Sequence, residues 1–404
     1  MDDTDSPDDR SARVSPQRDS RESESTSGRV LVLDSHRRQG VVAVRSLGRH
    51  GKEVTAASHR RWNSGGASKY AARTLEYPSP SDENAFVDAI ARELGEREYD
   101  LVLPSSSATA PAVVRNRERL QRHTAVPFLP WEDFRVGLDK SLTADAARSA
   151  DVPIPETMEL SEPDAEAVEA RLDYPVVVKP KREAGRLGVH ICETRNELTA
   201  ALESVGETHG RPLVQEYVPN GGEFGVYTLY DWSSNLVGLT VQRRLRTNPP
   251  GGGPSSLRET VSRPELVELA DRLFTDLGWR GVAMAEFRID PRDGEPKLLE
   301  INPRLWGSLA LSVFAGVDFP NLLYQCATTG SCERVLDYRV GVQARNLTGE
   351  IGHLLGREDR LQALRELFSP AGAPCTFDVL SLRDPLPGVV HLTRAGTALL
   401  GGET

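Results

Sequence analysis

Two short runs decide how this chain folds: Met284-Ala285-Glu286-Phe287-Arg288-Ile289-Asp290 and Leu298-Leu299-Glu300-Ile301-Asn302-Pro303-Arg304. Both alternate apolar and polar residues, the period of a strand with one face in a core. The stretch between them, Pro291 to Pro296, has the composition of a turn, so the pair reads as a β-hairpin. Glu286 and Glu300 are equidistant from Asp293, and a hairpin centred there sets their carboxylates opposite each other. Glu300, Asn302 and Arg304 fall at i, i+2 and i+4, on one face. The plain alternative is a solvated face with Glu–Arg pairs across the strands. Against it, two facing carboxylates repel unless a cation lies between them. Two carboxylates, an amide oxygen and a guanidinium on one surface suit a magnesium-bound polyphosphate, because Mg²⁺ takes one or two carboxylates plus phosphate oxygens.

The chain of 404 residues is long enough for two or three domains. It has no apolar run approaching 18 residues and no apolar leader segment, so neither a transmembrane helix nor a signal peptide is expected. Cys192, Cys326, Cys332 and Cys375 show no metal-binding spacing, and reduced cytoplasmic thiols are the expectation. The net charge of −10 argues against a nucleic-acid partner. Of 49 basic residues only six are Lys, at 52, 69, 140, 179, 181 and 297. Acidic excess with scarce Lys fits a halophilic source or a GC-rich genome, and the halophilic reading is favoured. A lysine retained where nearly every cation is Arg marks a place where Arg would not serve.

Residues 1–27 are acidic and Ser-rich and are expected to be disordered. From residue 28 to about 135, strands at 30–33, 52–57 and 99–104 alternate with a helix at 39–50, which predicts a half-Rossmann domain with a parallel sheet. Its first turn lacks GxGxxG, so a dinucleotide is not expected. Ser105 to Thr109 follow the last of these strands and are candidates for a substrate pocket. Asp139 or Ser141 can cap a helix running to Ser149, which places Lys140 at its start. Tyr174 to Pro180 is a buried strand ending in Lys179, an ammonium that needs anions nearby. Leu213 to Pro219 is another strand, followed by Asn220-Gly221-Gly222-Glu223. Arg244 and Arg246 precede a Gly-rich stretch at 249–256, the composition of a lid that closes on an anion. A helix at 264–277 leads into the hairpin, and helical segments follow from 306 to 323. Residues 331–404 read as a small α+β region, with strands at 376–382 and 389–393 and a helix near 358–367. No P-loop is present, and the eight histidines lack metal-binding spacing.

In this order the motifs resemble the ATP-grasp superfamily, in its carboxylate–amine ligase and carbamoyl-phosphate-synthase-like branch, nearest to the D-aspartate-ligase-like predicted carboligases. The resemblance implies an ATP-grasp domain over 136–330, with a lid at about 165–218, behind the half-Rossmann domain. It implies that Glu286, Glu300 and Asn302 hold two Mg²⁺ ions, with Mn²⁺ as an alternative. Arg304 would touch phosphate or acyl phosphate, and Lys140 and Lys179 the ATP phosphates. Gln215, Glu216 and Val218 would form the adenine hinge, and Glu223 would take the ribose hydroxyls. Arg244 and Arg246 are candidate anion clamps. The implied activity joins a small-molecule carboxylate to an amine through an acyl phosphate, in a cytoplasmic protein that can be a homodimer. Carboxyphosphate chemistry of the biotin-carboxylase kind and an ATP-binding sensor or assembly protein are the alternatives. The loop at 181–189 has fewer glycines than the family pattern, which leaves its covering role open.

Overall fold

The structure is a computed structural model that describes residues 28–160, 162–182, 188–250, 253–357, 359 and 372–401. The acidic tail, the middle of the 181–189 loop and all but one residue of the helix expected at 358–367 lie outside them.

Strands Arg29–Val32, Glu53–Ser58, Arg73–Glu76 and Leu101–Leu103 form a parallel sheet, in the order 73–76, 53–58, 29–32, 101–103. Val30, Leu31 and Val32 are fully buried, as a strand covered on both faces requires. The helix Arg38–Arg49 crosses back over this sheet. It sits close because a Cβ at Gly40 would fall on the backbone of Asp34 and Ser35. Strand 73–76 was not foreseen, and the reason is its edge position, where half-exposed residues replace an apolar run.

A second sheet stands apart with its own small core around Val168, Val176 and Leu198. Its strands run in the order Thr157–Glu159, Leu213–Glu216, Val176–Lys179, His190–Cys192, all antiparallel. Helices Ala165–Glu169 and Arg195–His209 cover it. The third sheet has seven strands, in the order Pro296–Asn302, Gly281–Ile289, Glu223–Tyr230, Leu236–Thr247, Ser255–Thr260, Gln343–Arg345, Cys375–Phe377. Its hairpin has the expected pairing, with Glu286 opposite Glu300 and Met284 opposite Asn302. Beyond Glu300 the register slips, so that Phe287 faces Leu298 and Leu299 is the extra residue of a bulge.

Three expectations need correction. Residues 389–393 are not a strand but lie inside the helix Leu386–Gly401. The apolar run there is too short to separate the two periods, and Pro387 suits a helix's first turn. The strand expected at 376–382 shrinks to Cys375–Phe377, which pairs in parallel with 343–345. The C-terminal region therefore extends the large sheet, and it also clasps the first domain. Arg45 Nε donates to Asp384 at 2.8 Å, and Arg38 donates to Asp378 at 2.6 Å. Finally, Cys326 and Cys332 are joined as a disulfide rather than both being free thiols. Helix Phe319–Thr329 ends at Gly330 in the left-handed region, which turns the chain back and brings the two Cα atoms to 5.0 Å. Among the described residues no helix is long and apolar enough to cross a membrane.

Candidate active site

The three sheets enclose a cavity of about 1630 Å³. Strand alternation explains what faces it. On the hairpin, Glu286 and Arg288 are two residues apart on one strand, and Glu300 and Asn302 on the other; all four line the cavity. The bulge at Leu299 adds an apolar neighbour, since Leu299 reaches the cavity wall beside Glu300.

A chain of hydrogen bonds fixes the second strand's polar face. Asn302 Nδ2 donates to Glu300 at 2.8 Å, and Arg304 donates to Asn302 Oδ1 at 2.9 Å. Arg304 Nε then reaches Ser107 Oγ at 2.6 Å, in the loop after the last parallel strand. Ser106, Ser107 and Ala108 line the cavity, and the ends of the parallel sheet and of the hairpin thus meet at Arg304. Facing them, Glu286 takes a hydrogen bond from Arg244. Burial, and then the nearness of Glu300 and Glu223, raise the Glu286 pKa although Arg244 opposes the rise. Crowded acids of this kind gain from a bound cation. The donor set of two carboxylates and an amide oxygen fits Mg²⁺, and Glu286, Glu300 and Asn302 are the residues placed to hold it.

Lys179 ends its strand at 7% exposure. Burial, and then the charge of Lys140, lower its pKa to about 7. Lys140 begins the helix Lys140–Ser149, whose N-cap Asp139 accepts from the Ser141 backbone at 3.0 Å. Both lysines line the cavity. Gln215 and Glu216 lie on strand Leu213–Glu216 and Val218 just past it, also on the cavity wall. Gln215 Nε2 donates to Thr157 at 2.6 Å, and the Val218 carbonyl accepts from Arg288 at 3.1 Å. Apolar walls come from Val177, Ile191, Met284 and Leu299. Glu223 is held between Arg244 and Arg288. Burial works to raise its pKa, but these two guanidinium groups outweigh burial and hold it below the usual carboxylate range.

Ser105, Thr109 and Arg246 are predicted residues that the cavity does not include; the Ser105 and Thr109 hydroxyls turn back to the Leu33 carbonyl and to Asp34. Register shifts flank Arg246 in the pairing with Ser255–Thr260, so alternation from Arg244 fails, and it lies within ion-pair distance, 3.2 Å, of buried Glu350. Arg288 was missed, although its spacing from Glu286 gives its face away. His36, Arg37, Arg38, Arg60, His391 and Arg394 were also missed. His36, Arg37 and Arg60 lie in turns, Arg38 opens a helix, and His391 sits where a strand was expected with Arg394 just past it, so no periodicity pointed to them.

Two family models match the chain: "ATP-grasp in the biosynthetic pathway with Ter operon" over residues 210–350, and "D-ala D-ala ligase C-terminus" over 150–245. Among curated proteins, a vancomycin B-type resistance protein of Enterococcus faecalis is 30% identical over 181 residues, 41% of this chain and 52% of that protein. A D-alanine–D-alanine ligase of Carboxydothermus hydrogenoformans is 27% identical over 220 residues, 48% of this chain and 69% of that one. The chain thus spans between about half and two thirds of these relatives' length. Among solved structures, an L-amino acid ligase from Bacillus licheniformis matches with a TM-score of 0.59 at 21% identity, over 74% of each chain. The biotin carboxylase domain of Hydrogenobacter thermophilus 2-oxoglutarate carboxylase matches at 0.66 and 18%, over 78% of this chain and 73% of that one. At these identities the structural matches bear on the fold alone. The two family matches place residues 150–350 in the ATP-grasp superfamily, and these residues enclose one cavity together with the parallel-sheet domain.

Proposed function

We propose that this protein is an ATP-dependent carboxylate–amine ligase that works through an acyl phosphate. The observation that carries the reading is the Glu286/Glu300 pair with Asn302 and Arg304 in one hydrogen-bonded line. A carboxylate oxygen of the first substrate attacks the γ-phosphorus of ATP. The new O–P bond forms as the bond to the β,γ-bridging oxygen breaks, and ADP departs. The amine nitrogen then attacks the acyl carbon, loses a proton and expels phosphate, leaving an amide.

The chain's residues serve this chemistry mainly by position and charge. Lys140, Lys179 and Arg304 offset charge on the transferring oxygens, and Arg244 helps hold the anionic end. The polypeptide around Gln215, Glu216 and Val218 offers backbone groups to the purine, and Glu223 faces the ribose. Glu286, Glu300 and Asn302 would hold Mg²⁺, which when bound would supply further charge neutralisation. Arg246 has no place in the chemistry. A cytoplasmic setting, where ATP is plentiful, belongs to the same reading.

Trapping tests it. With Mg-ATP, a pool of carboxylates and hydroxylamine in place of the amine, an acyl phosphate yields a hydroxamate. The reading requires hydroxamate with the wild-type chain and none with Glu300→Gln. ADP formation without hydroxamate from any carboxylate contradicts it.

A further inference from the structure

The end of the cavity away from the lid carries a second group of cations that the ligation chemistry does not use. Arg37 and Arg60 extend from turns of the first domain, and Arg394 comes from the C-terminal helix. Among the described residues none of the three has an ion-pair partner, and Arg394 feels the charge of both Arg60 and Arg37. Such repulsion is unfavourable unless something negative joins the group.

His36 lies among them at 6% exposure, with Nε2 buried and unpartnered. Ser58 Oγ accepts the Arg60 backbone N–H at 3.0 Å and lies 3.0 Å from His36 Nδ1. Its hydroxyl hydrogen is therefore free to be donated to Nδ1, which puts the imidazole proton on Nε2 as an unsatisfied donor. Helix Arg38–Arg49 starts here too, with no side-chain cap and no acidic residue in its first turn. Its open N–H groups and dipole favour an anion.

Two carboxylates are near, and both are already engaged. Asp34 accepts from the hydroxyls of Tyr77, Ser106 and Thr109, while Asp378 accepts from Arg38 and Arg258. Asp34, His36 and His59 are close enough to suggest a metal site, their candidate atoms lying within 4.8 Å of one another. The engaged Asp34 oxygens and the surrounding guanidinium charge favour an anion instead. Arg304 connects this end to the reacting end, since it feels Glu300 and Glu286 on one side and Arg37 and Asp34 on the other.

We propose that His36, Arg37, Arg60, Arg394 and the start of helix Arg38–Arg49 form an anion subsite that takes a second acidic group, phosphate or carboxylate, of the substrate. That the ligand is a substrate of ligation rests on the function proposed above; the binding of an anion here does not. The substrate class follows: one reactant carries, beyond its reacting group, a phosphate or a further carboxylate. The C-terminal helix would then act as a wall that selects for charge.

The test is calorimetric titration of the full chain with inorganic phosphate and, separately, malonate and acetate, in dilute chloride. Excess magnesium with a non-hydrolysable ATP analogue first fills the nucleotide end. Wild type should bind phosphate or malonate measurably and acetate at least tenfold more weakly. Arg60→Ala with Arg394→Ala should weaken the dianion at least tenfold, and His36→Phe severalfold. Nucleotide affinity should stay unchanged in these variants. Arg60→Ala alone provides the reading if Arg394→Ala loosens the helix, and Arg394→Lys should keep most of the binding. Phosphate stronger than malonate points to a phosphorylated substrate, and the reverse to a polycarboxylate. Equal affinity in wild type and the folded variants overturns the proposal. So does tight Zn²⁺ binding lost in His36→Phe with no dianion binding, which makes the cluster a metal site. Glu300→Gln should keep the dianion affinity while losing hydroxamate formation, so a failure of the ligase reading and a failure of this one remain distinct.

Discussion

Replacing Lys179 by Met should stabilise the empty protein and weaken its hold on ATP. The ammonium is almost wholly buried beside Lys140, and its pKa falls from an ordinary 10.5 to about 7. At about 1.4 kcal/mol per tenfold, that gap corresponds to roughly 4–5 kcal/mol of electrostatic cost as an upper bound. Relaxation and water entry reduce it, and a gain of about 1–2 kcal/mol is expected for Lys179→Met, whose side chain is similar in length and apolar. The sign follows from linkage. The native state releases this proton before the unfolded state does, so the cost is fully present below pH 7 and fades as the pH rises from about 7 toward 10.5. The variant's advantage should therefore be largest near pH 6 and gone near pH 10. Binding should move the other way, because a charged hydrogen bond to phosphate is worth about 1.5–3 kcal/mol, or roughly 10- to 100-fold in affinity. Thermal melts across this pH range and titration with a non-hydrolysable ATP analogue measure both effects. A variant less stable than wild type at pH 6, or with unchanged nucleotide affinity, refutes the reasoning.

Arg244→Gln should lower turnover sharply, whereas Arg246→Gln should cost stability but leave turnover per folded molecule intact; activity normalised to folded fraction separates them. Asp384→Asn breaks a buried pair with Arg45 and should destabilise by about 3–5 kcal/mol, read by denaturant melts. The Glu286 pKa is raised by burial and by Glu300, and a metal needs the carboxylate ionised. Mg²⁺ affinity without nucleotide should therefore fall as the pH drops from 8 toward 5, with proton release on binding in the acidic part of that range, measured by calorimetry in two buffers.

The hairpin was legible because alternation and a symmetric turn locate a pairing without any tertiary information, and Glu286 does face Glu300. The lysines were legible as exceptions to an Arg-rich composition. What was hidden depends on events that local pattern does not encode. The bulge at Leu299 and the register shifts beside Arg246 change which residues share a face. The turns at 34–38 and 58–61 share the cavity with the C-terminal helix, and the contacts that bring them together, such as Arg45–Asp384 beside them, are long-range. A short apolar run, Val389-Val390, could be read with either period, and it lies in a helix with Val389 exposed.

The central claim is tested most directly by product analysis of Mg-ATP turnover, in molar KCl, against pools of carboxylates with and without amines. The ligase reading predicts ADP and phosphate, released fully only when both pools are present. AMP and pyrophosphate, or ADP release that ignores both pools, would contradict it.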